Sequence, residues 1–247
     1  MALRLISLAA LILLWQVAAH FGDPRLLPGP MAVFTTMESE AASGALFAAL
    51  GATLARVAAA FLLAMAVGSA IGYAMGRNAL VDRAADPWII VLLNLPALVI
   101  IVLAYIWGGL NEAAAIGAVA LNKLPVTVVT IREGVRALDA RLDEMARVFG
   151  FSRQKRLAHV VAPQLAPYFA AATRAGLSLV WKIVLVVELM GRPNGVGFEI
   201  NTAFQLFDVP LLLAYALPFT AIMLIIETLL VQPFERHVSR WRPRAAA

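Results

Sequence analysis

The chain has no cysteine, which excludes a disulfide framework, a thiolate metal site and a cysteine nucleophile. Charge is scarce too: Asp, Glu, Lys and Arg make up 14% of the 247 residues, where a soluble domain carries about 25%. Its lysines are Lys123, Lys155 and Lys182, and none follows a glycine. The G-K-[ST] loop that cradles nucleotide phosphates is therefore missing. His20, His159 and His237 stand apart, without the spacing of a metal site. No convergent Ser, His and Asp set can be assembled. The chain is not expected to be an enzyme, to bind metal or to hold a cofactor.

Apolar residues fill the space that charge leaves. They form 62% of the chain and are grouped in blocks, as for helices whose solvent is lipid. A hydrocarbon core about 30 Å thick needs ~20 apolar residues per crossing. Six runs qualify, at roughly 3–21, 50–76, 86–108, 113–131, 168–190 and 210–234. The expected fold is all-α and polytopic, one membrane domain over 1–247. The first run, with Arg4 before a Leu-rich stretch and Ala18-Ala19 after it, reads either as a retained helix or as a cleavable signal peptide. The Leu26-Leu27-Pro28-Gly29-Pro30 turn that follows favours retention.

The net charge of +5 invites a nucleic-acid reading, but the positions of the charges exclude it. With a cytoplasmic N-terminus, the inner segments hold Arg77, Arg83, the basic residues from Arg132 to Arg156 and the tail from Arg236 to Arg244. The outer segments hold only Arg25 and Arg192. That is the positive-inside pattern, and it puts both termini in the cytoplasm.

Gly68, Gly72 and Gly76 share one helix face, where glycine lets a second helix approach closely. Close packing within the chain and a subunit interface both fit that row.

The loop between spans four and five, 139–163, is polar and basic. Asp139 can cap a helix there, with Asp143 and Glu144 near its positive end. Leu138, Leu142, Met145 and Phe149 fall on one apolar stripe. Gly150 can stop that helix, Ser152 can cap a second, and Pro163 and Pro167 are expected to break the chain before span five. A solvated loop and a docking element remain equal on these grounds.

In mid-span, Lys123 and Lys182 are costly, about 2.5–3.5 kcal/mol each on insertion scales. They either face a pathway and attract an anion, together with Asn94, Trp181 and Glu188, or pair with a carboxylate, Glu188 or Glu227, or snorkel to an interface. The outer segment 191–209 reads as a glycine-rich loop that connects two spans or meets a soluble partner.

The pattern Glu144-x-Ala146-x-x-x-Gly150 followed by Val160-x-Ala162-Pro163 resembles the EAA loop of binding-protein-dependent ABC importer permeases. Leu26-Leu27-Pro28-Gly29-Pro30, Thr53-Leu54-Ala55-Arg56-Val57, the glycine row, Asp86-Pro87, Asn94-Leu95-Pro96, Trp181 and Glu188-Leu189-Met190-Gly191 are similar to the nitrate/sulfonate/taurine branch. Three positions depart from the pattern: Met145 in place of the motif's first Ala, Ala162 where Leu precedes the Pro, and no further prolines after Pro96.

The resemblance implies a type I importer permease fold in a bacterial inner membrane. It also implies a second copy of the chain and two ATP-binding cassette ATPases, which carry ATP and Mg, docked on the loop. A periplasmic binding protein would deliver a small solute from outside. Leu142, Glu144, Met145, Ala146, Phe149, Gly150, Arg153 and Pro163 would then form the coupling site, and the mechanism would be alternating access. A secondary transporter or channel is the alternative; it would call for an inverted repeat or an acid relay, and neither is evident.

Overall fold

The structure, a computed structural model, describes residues 2–238. Arg240, Arg242 and Arg244 of the basic tail lie outside the described residues, as does the side chain of Arg4. Among the described residues every regular element is helical. In order they are α1 (Ala2–Phe21), α2 (Pro30–Ala42), α3 (Ala45–Arg77), α4 (Ala79–Asn94), α5 (Ala97–Gly108) and α6 (Glu112–Arg136), then α7 (Ala140–Val148), α8 (Arg153–Arg156), α9 (Ala162–Gly191), α10 (Val196–Gln205), α11 (Val209–Ile226) and α12 (Gln232–Val238).

Four helices are long and apolar enough to cross a membrane: Ala45–Arg77, Glu112–Arg136, Arg153–Gly191 and Val209–Val238. The expected run 86–108 is not one straight span. It is α4 and α5, bent by 101° at a break after Asn94. Pro96 is the cause, because its ring drives Leu95 into extended backbone (φ −73°, ψ 126°) and ends α4. With α1, the apolar segments still number about six. The expectations missed α2, whose 13 residues include Thr35, Thr36, Glu38 and Glu40 and are too short and polar to register as a span.

Pro163 and Pro167 do not break the chain, contrary to expectation. Helix runs unbroken from Arg153 to Gly191. A π-helical turn at Leu157–Val161 precedes Pro163, and the Ala162 N–H reaches back to the Leu157 carbonyl. The widened turn accommodates a residue that has no N–H and whose ring would crowd a regular one. A second π-turn, Glu227–Val231, joins α11 to α12. The segment 191–209 is likewise more than a loop, since it contains α10.

The chain divides into two compact units, Met1–Ala55 with Leu185–Met223 and Arg56–Val184 with Leu224–Ala247. In the second, α6 is the central post. The glycine row of α3 lies against it, which assigns that row to packing within the chain. A Cβ on Gly72 would stand 2.5 Å from the Val128 carbonyl oxygen, and one on Gly76 would stand 2.5 Å from Val135 Cβ. Gly134 of α6 opens a similar notch for the Tyr168 ring of α9. Ile131 and Val135 join Val161 and Leu165 in one buried cluster; Met75, Ile89 and Val128 form another.

Polar fastenings close the ends of this unit. Arg132 reaches Asp82 (3.3 Å) and Asp86, while Arg136 takes Asp82 and Glu133, so one end of α6 is tied to α4. At the other end Asn111 caps α6, and nearly buried Arg56 of α3 grips Glu112 at 2.6 and 2.9 Å.

In the first unit, Trp15 Nε1 donates to the Pro28 carbonyl (3.0 Å), which sets α1 against the turn leading into α2. Tyr215 of α11 donates to Glu40 of α2 at 2.6 Å.

Candidate functional site

The element between α6 and α9 is built from its caps. The Asp139 carboxylate accepts the Arg141 N–H at 2.8 Å and starts α7. The helix ends in a paired reverse turn: Phe151 N–H donates to Ala146 O at 2.9 Å, and Gly150 N–H donates to Arg147 O at 3.0 Å. Gly150 has φ +63°, a left-handed conformation that an L side chain rarely adopts. Nothing lies within 4 Å of where its Cβ would be, so backbone conformation and not space requires glycine. Ser152 then caps α8 through the Lys155 N–H.

Two links hold α7 in place. Asp143 pairs with Arg147 on its own helix (3.0 Å) and with Arg156 beyond the turn (2.6 Å), so α7 and α8 are stapled together. The Asp139 N–H donates to Gln164 on α9 at 2.9 Å. Behind α7 is a cavity of about 140 Å³ lined by Arg77, Asp139, Asp143, Val160 and Gln164 among others. The attachment is therefore partly polar, with room beneath it.

The expected apolar stripe survives with one correction. Leu138 precedes the Asp139 cap, so it is not on the helix; it turns inward onto the Ile131 and Val135 cluster. Ala146 is fully buried. Leu142 (40% exposed), Met145 (40%) and Phe149 (73%) face outward, and Val148, which the sequence reading did not single out, is 84% exposed. Glu144, Arg153 and Pro163 are also on the surface. An uncovered apolar face beside solvated charges is what a partner surface requires.

Burial by itself would raise the Asp143 carboxyl's pKa. The Arg147 hydrogen bond and the charges of Arg156, Arg147 and Arg77 outweigh that effect and hold it below the ordinary carboxylate value of 3.8. A carboxylate depressed on folding stabilises above its unfolded pKa and loses that contribution as pH falls through the folded one. The α7–α8 staple should therefore persist across the neutral and mildly acidic range and weaken only below about pH 3.8. Asp143→Asn should remove the interaction at every pH. The mobility of a spin label attached beforehand to a cysteine placed at Phe151, followed from pH 7 to about pH 2, checks this: the wild-type staple should show an acid transition and the variant should show none.

The proposed pathway residues divide. Lys123 is fully buried in α6 and donates to the Ala172 carbonyl of α9 at 3.0 Å, so it has neither of the expected carboxylate partners. Gly176 makes the room: a Cβ there would stand 1.9 Å from Lys123 Cε. Glu188 is also fully buried, where it accepts from Thr53 and from the Gly197 N–H. Lys182 is exposed, 5.5 Å from the centre of the half-buried Trp181 ring. Asn94, at the α4–α5 bend, is exposed and donates to its own helix at Ile90. Glu227 meets Arg174 of α9 at 3.7 Å, so its partner is an arginine of another helix and not one of the mid-span lysines. Sequence reading missed Thr53, Gly176 and Gly195 as parts of these sites. The signal that could have found Gly176 is its isolation inside a helical, apolar pattern.

Residues 64–241 match the family described as the binding-protein-dependent transport system inner membrane component. A Bacillus subtilis (strain 168) protein named for aliphatic sulfonates transport, the permease SsuC, is 30% identical over 95% of this chain and 85% of its own length. The Escherichia coli (strain K12) protein of the same name is also 30% identical, over 94% and 89%. The taurine transport system permease TauC of that strain is 26% identical over 95% and 88%. In fold, the chain is similar to one from an amino acid ABC transporter (TM-score 0.65, 20% identity, covering 81% of this chain and 97% of that one). It is also similar to a chain of the inward-facing methionine transporter MetNI (TM-score 0.64, 15% identity, 75% and 92%).

Proposed function

The chain belongs to the family of inner membrane components of binding-protein-dependent transport systems, and from that premise we propose how it works. It is the multi-pass permease subunit of an ABC importer. Such permeases function with ATPase and binding-protein partners. In the assembly proposed here, two copies of this chain sit in the bacterial inner membrane with both termini in the cytoplasm. Two ATPase subunits, which carry ATP and Mg, dock on the element spanning 139–163. A periplasmic protein delivers solute near 191–209.

The observation that carries this reading is the uncovered apolar face of α7, Leu142, Met145, Val148 and Phe149, on an element that its own chain holds by caps and ion pairs. Closure of the ATPases would push that element, and the continuous helix from Arg153 to Gly191 would carry the motion into the membrane. Movement of α9 against α6 would then turn an inward-facing cavity outward. The solute proposed is a small anion of the sulfonate kind, after the relatives' names and the exposed ammonium of Lys182 beside Trp181. Lys182, Trp181 and Asn94 are the pathway candidates. Lys123 and Glu188 are buried, and each is hydrogen-bonded to the chain's own groups.

Purification of the tagged full-length chain from its native membrane tests this. An ATP-binding subunit should accompany it in about equal amount. A chain that purifies alone in mild detergent, with uptake insensitive to ATP depletion, would select the secondary-transporter alternative.

A further inference from the structure

Helix α10 is anchored at its start by side chains from elsewhere in the chain and carries exposed apolar side chains at its far end. Val196 and Ala203 are fully buried, whereas Phe204, Leu206 and Phe207 at its far end are exposed. The first N–H groups of a helix have no partner within it, and the residue before α10 is Gly195, which has no side chain to cap them. Two side chains from elsewhere do so. The Val196 N–H donates to Thr53 Oγ1 at 2.8 Å, and the Gly197 N–H donates to Glu188 Oε2 at 2.8 Å. The Thr53 hydroxyl in turn donates to the same Glu188 oxygen at 2.9 Å.

Space is arranged around the carboxylate as closely as the hydrogen bonds. A Cβ on Gly195 would stand 2.4 Å from Glu188 Cδ, and one on Gly197 would stand 2.3 Å from the Leu185 carbonyl oxygen. Gly195 also has φ +110°. A buried carboxylate at a helix's positive end is favoured by both the dipole and the charge-assisted hydrogen bonds. Removing it would leave the Gly197 N–H without its acceptor and would free the Thr53 hydroxyl that holds the Val196 N–H, whereas the apolar contacts of α10 would remain.

We propose that Glu188, with Thr53 as its relay, is a latch that positions α10, and that opening this latch is how the permease moves α10. Glu188 is thus a positioning residue rather than a solute ligand: its carboxylate is committed to α10. Release means exchanging these hydrogen bonds for water or other partners, with the Arg192-Pro193-Asn194 link and Gly195 as the hinge. The importer reading gives this motion its use, but the latch itself can be tested without any ATPase or solute.

The chain has no cysteine, so a single Phe204→Cys reports on the far end of α10 without background from the chain itself. The full chain in native membranes is labelled with a membrane-impermeant maleimide, and its abundance is measured in parallel. Glu188→Ala and Thr53→Val should each raise the labelling rate about tenfold. Combined, they should raise it no further, because they break the same unit. Thr53→Ser, which keeps the hydroxyl, should label as wild type, so a variant of Glu188 that fails to accumulate leaves the test standing on Thr53. Wild-type labelling in Glu188→Ala and in Thr53→Val, or additive effects of the two, would overturn the latch. Either result leaves the importer assignment untouched, since that rests on ATPase recovery.

Discussion

Replacing Leu142, Met145 and Phe149 together with serine is expected to leave the chain inserted and folded while ATPase recovery falls at least tenfold. The reasoning is one of location. These side chains are 40%, 40% and 73% exposed, so the fold loses little when they go. Burying an apolar side chain fully is worth about 1.5–3 kcal/mol. Even half that gain, summed over three residues, exceeds the 1.4 kcal/mol that separates tenfold affinities. The exposed charges nearby are worth about 0.2–1 kcal/mol per pair, so neutralising Arg153 should have a smaller, salt-sensitive effect. Ala146 is the internal contrast. It is fully buried, so a bulky replacement there should harm α7 itself rather than docking alone. Co-purified ATPase, measured against the amount of folded permease, gives the answer; undiminished recovery in the triple variant would remove α7 as the docking face.

Gly72→Ala should be the most damaging single methyl in the α3 glycine row. Its Cβ would meet the Val128 carbonyl oxygen at 2.5 Å and the Arg132 nitrogen at 3.2 Å, and both are backbone of α6. Neither can rotate away, so the two helices must separate, at a cost of about 1–3 kcal/mol. Gly51→Ala and Gly117→Ala are the controls. Nothing lies within 4 Å of either added Cβ, and alanine in a helix gains up to about 1 kcal/mol over glycine. Unfolding of the three variants in detergent should therefore rank Gly72→Ala well below wild type and the controls at or above it. Equal stability of all three would show that α3 and α6 are not in contact along this row.

Much of the element between α6 and α9 was legible because its signals are local. Asp139, Ser152 and Gly150 each act on backbone within a few residues, and all three do what their types favour. The stripe was readable for the same reason, apart from Leu138, whose place before the cap turned it inward. The errors lie where a local rule met a longer-range one. Pro96 breaks a span and Pro163 does not, although both interrupt apolar sequence, because the Leu157–Val161 π-turn makes room for Pro163. A hydropathy window over 86–108 counts apolar residues and carries no angle, so the 101° bend was invisible to it. Helix α2 was missed for its shortness and its polar residues.

Sequence alone was enough to read a membrane protein, to read its elements as helices, and to locate a polar segment inserted between two apolar runs. Composition, periodicity and caps act over one or two turns of chain, and that is the range at which those properties are decided. Only the tertiary structure decided what the buried charges do. Lys123 lies in a notch at Gly176, and Glu188 holds the start of α10 with Thr53. Both assignments depend on groups far apart in the chain that meet only after packing, when a charge removed from water must take whatever partner the neighbouring backbone presents.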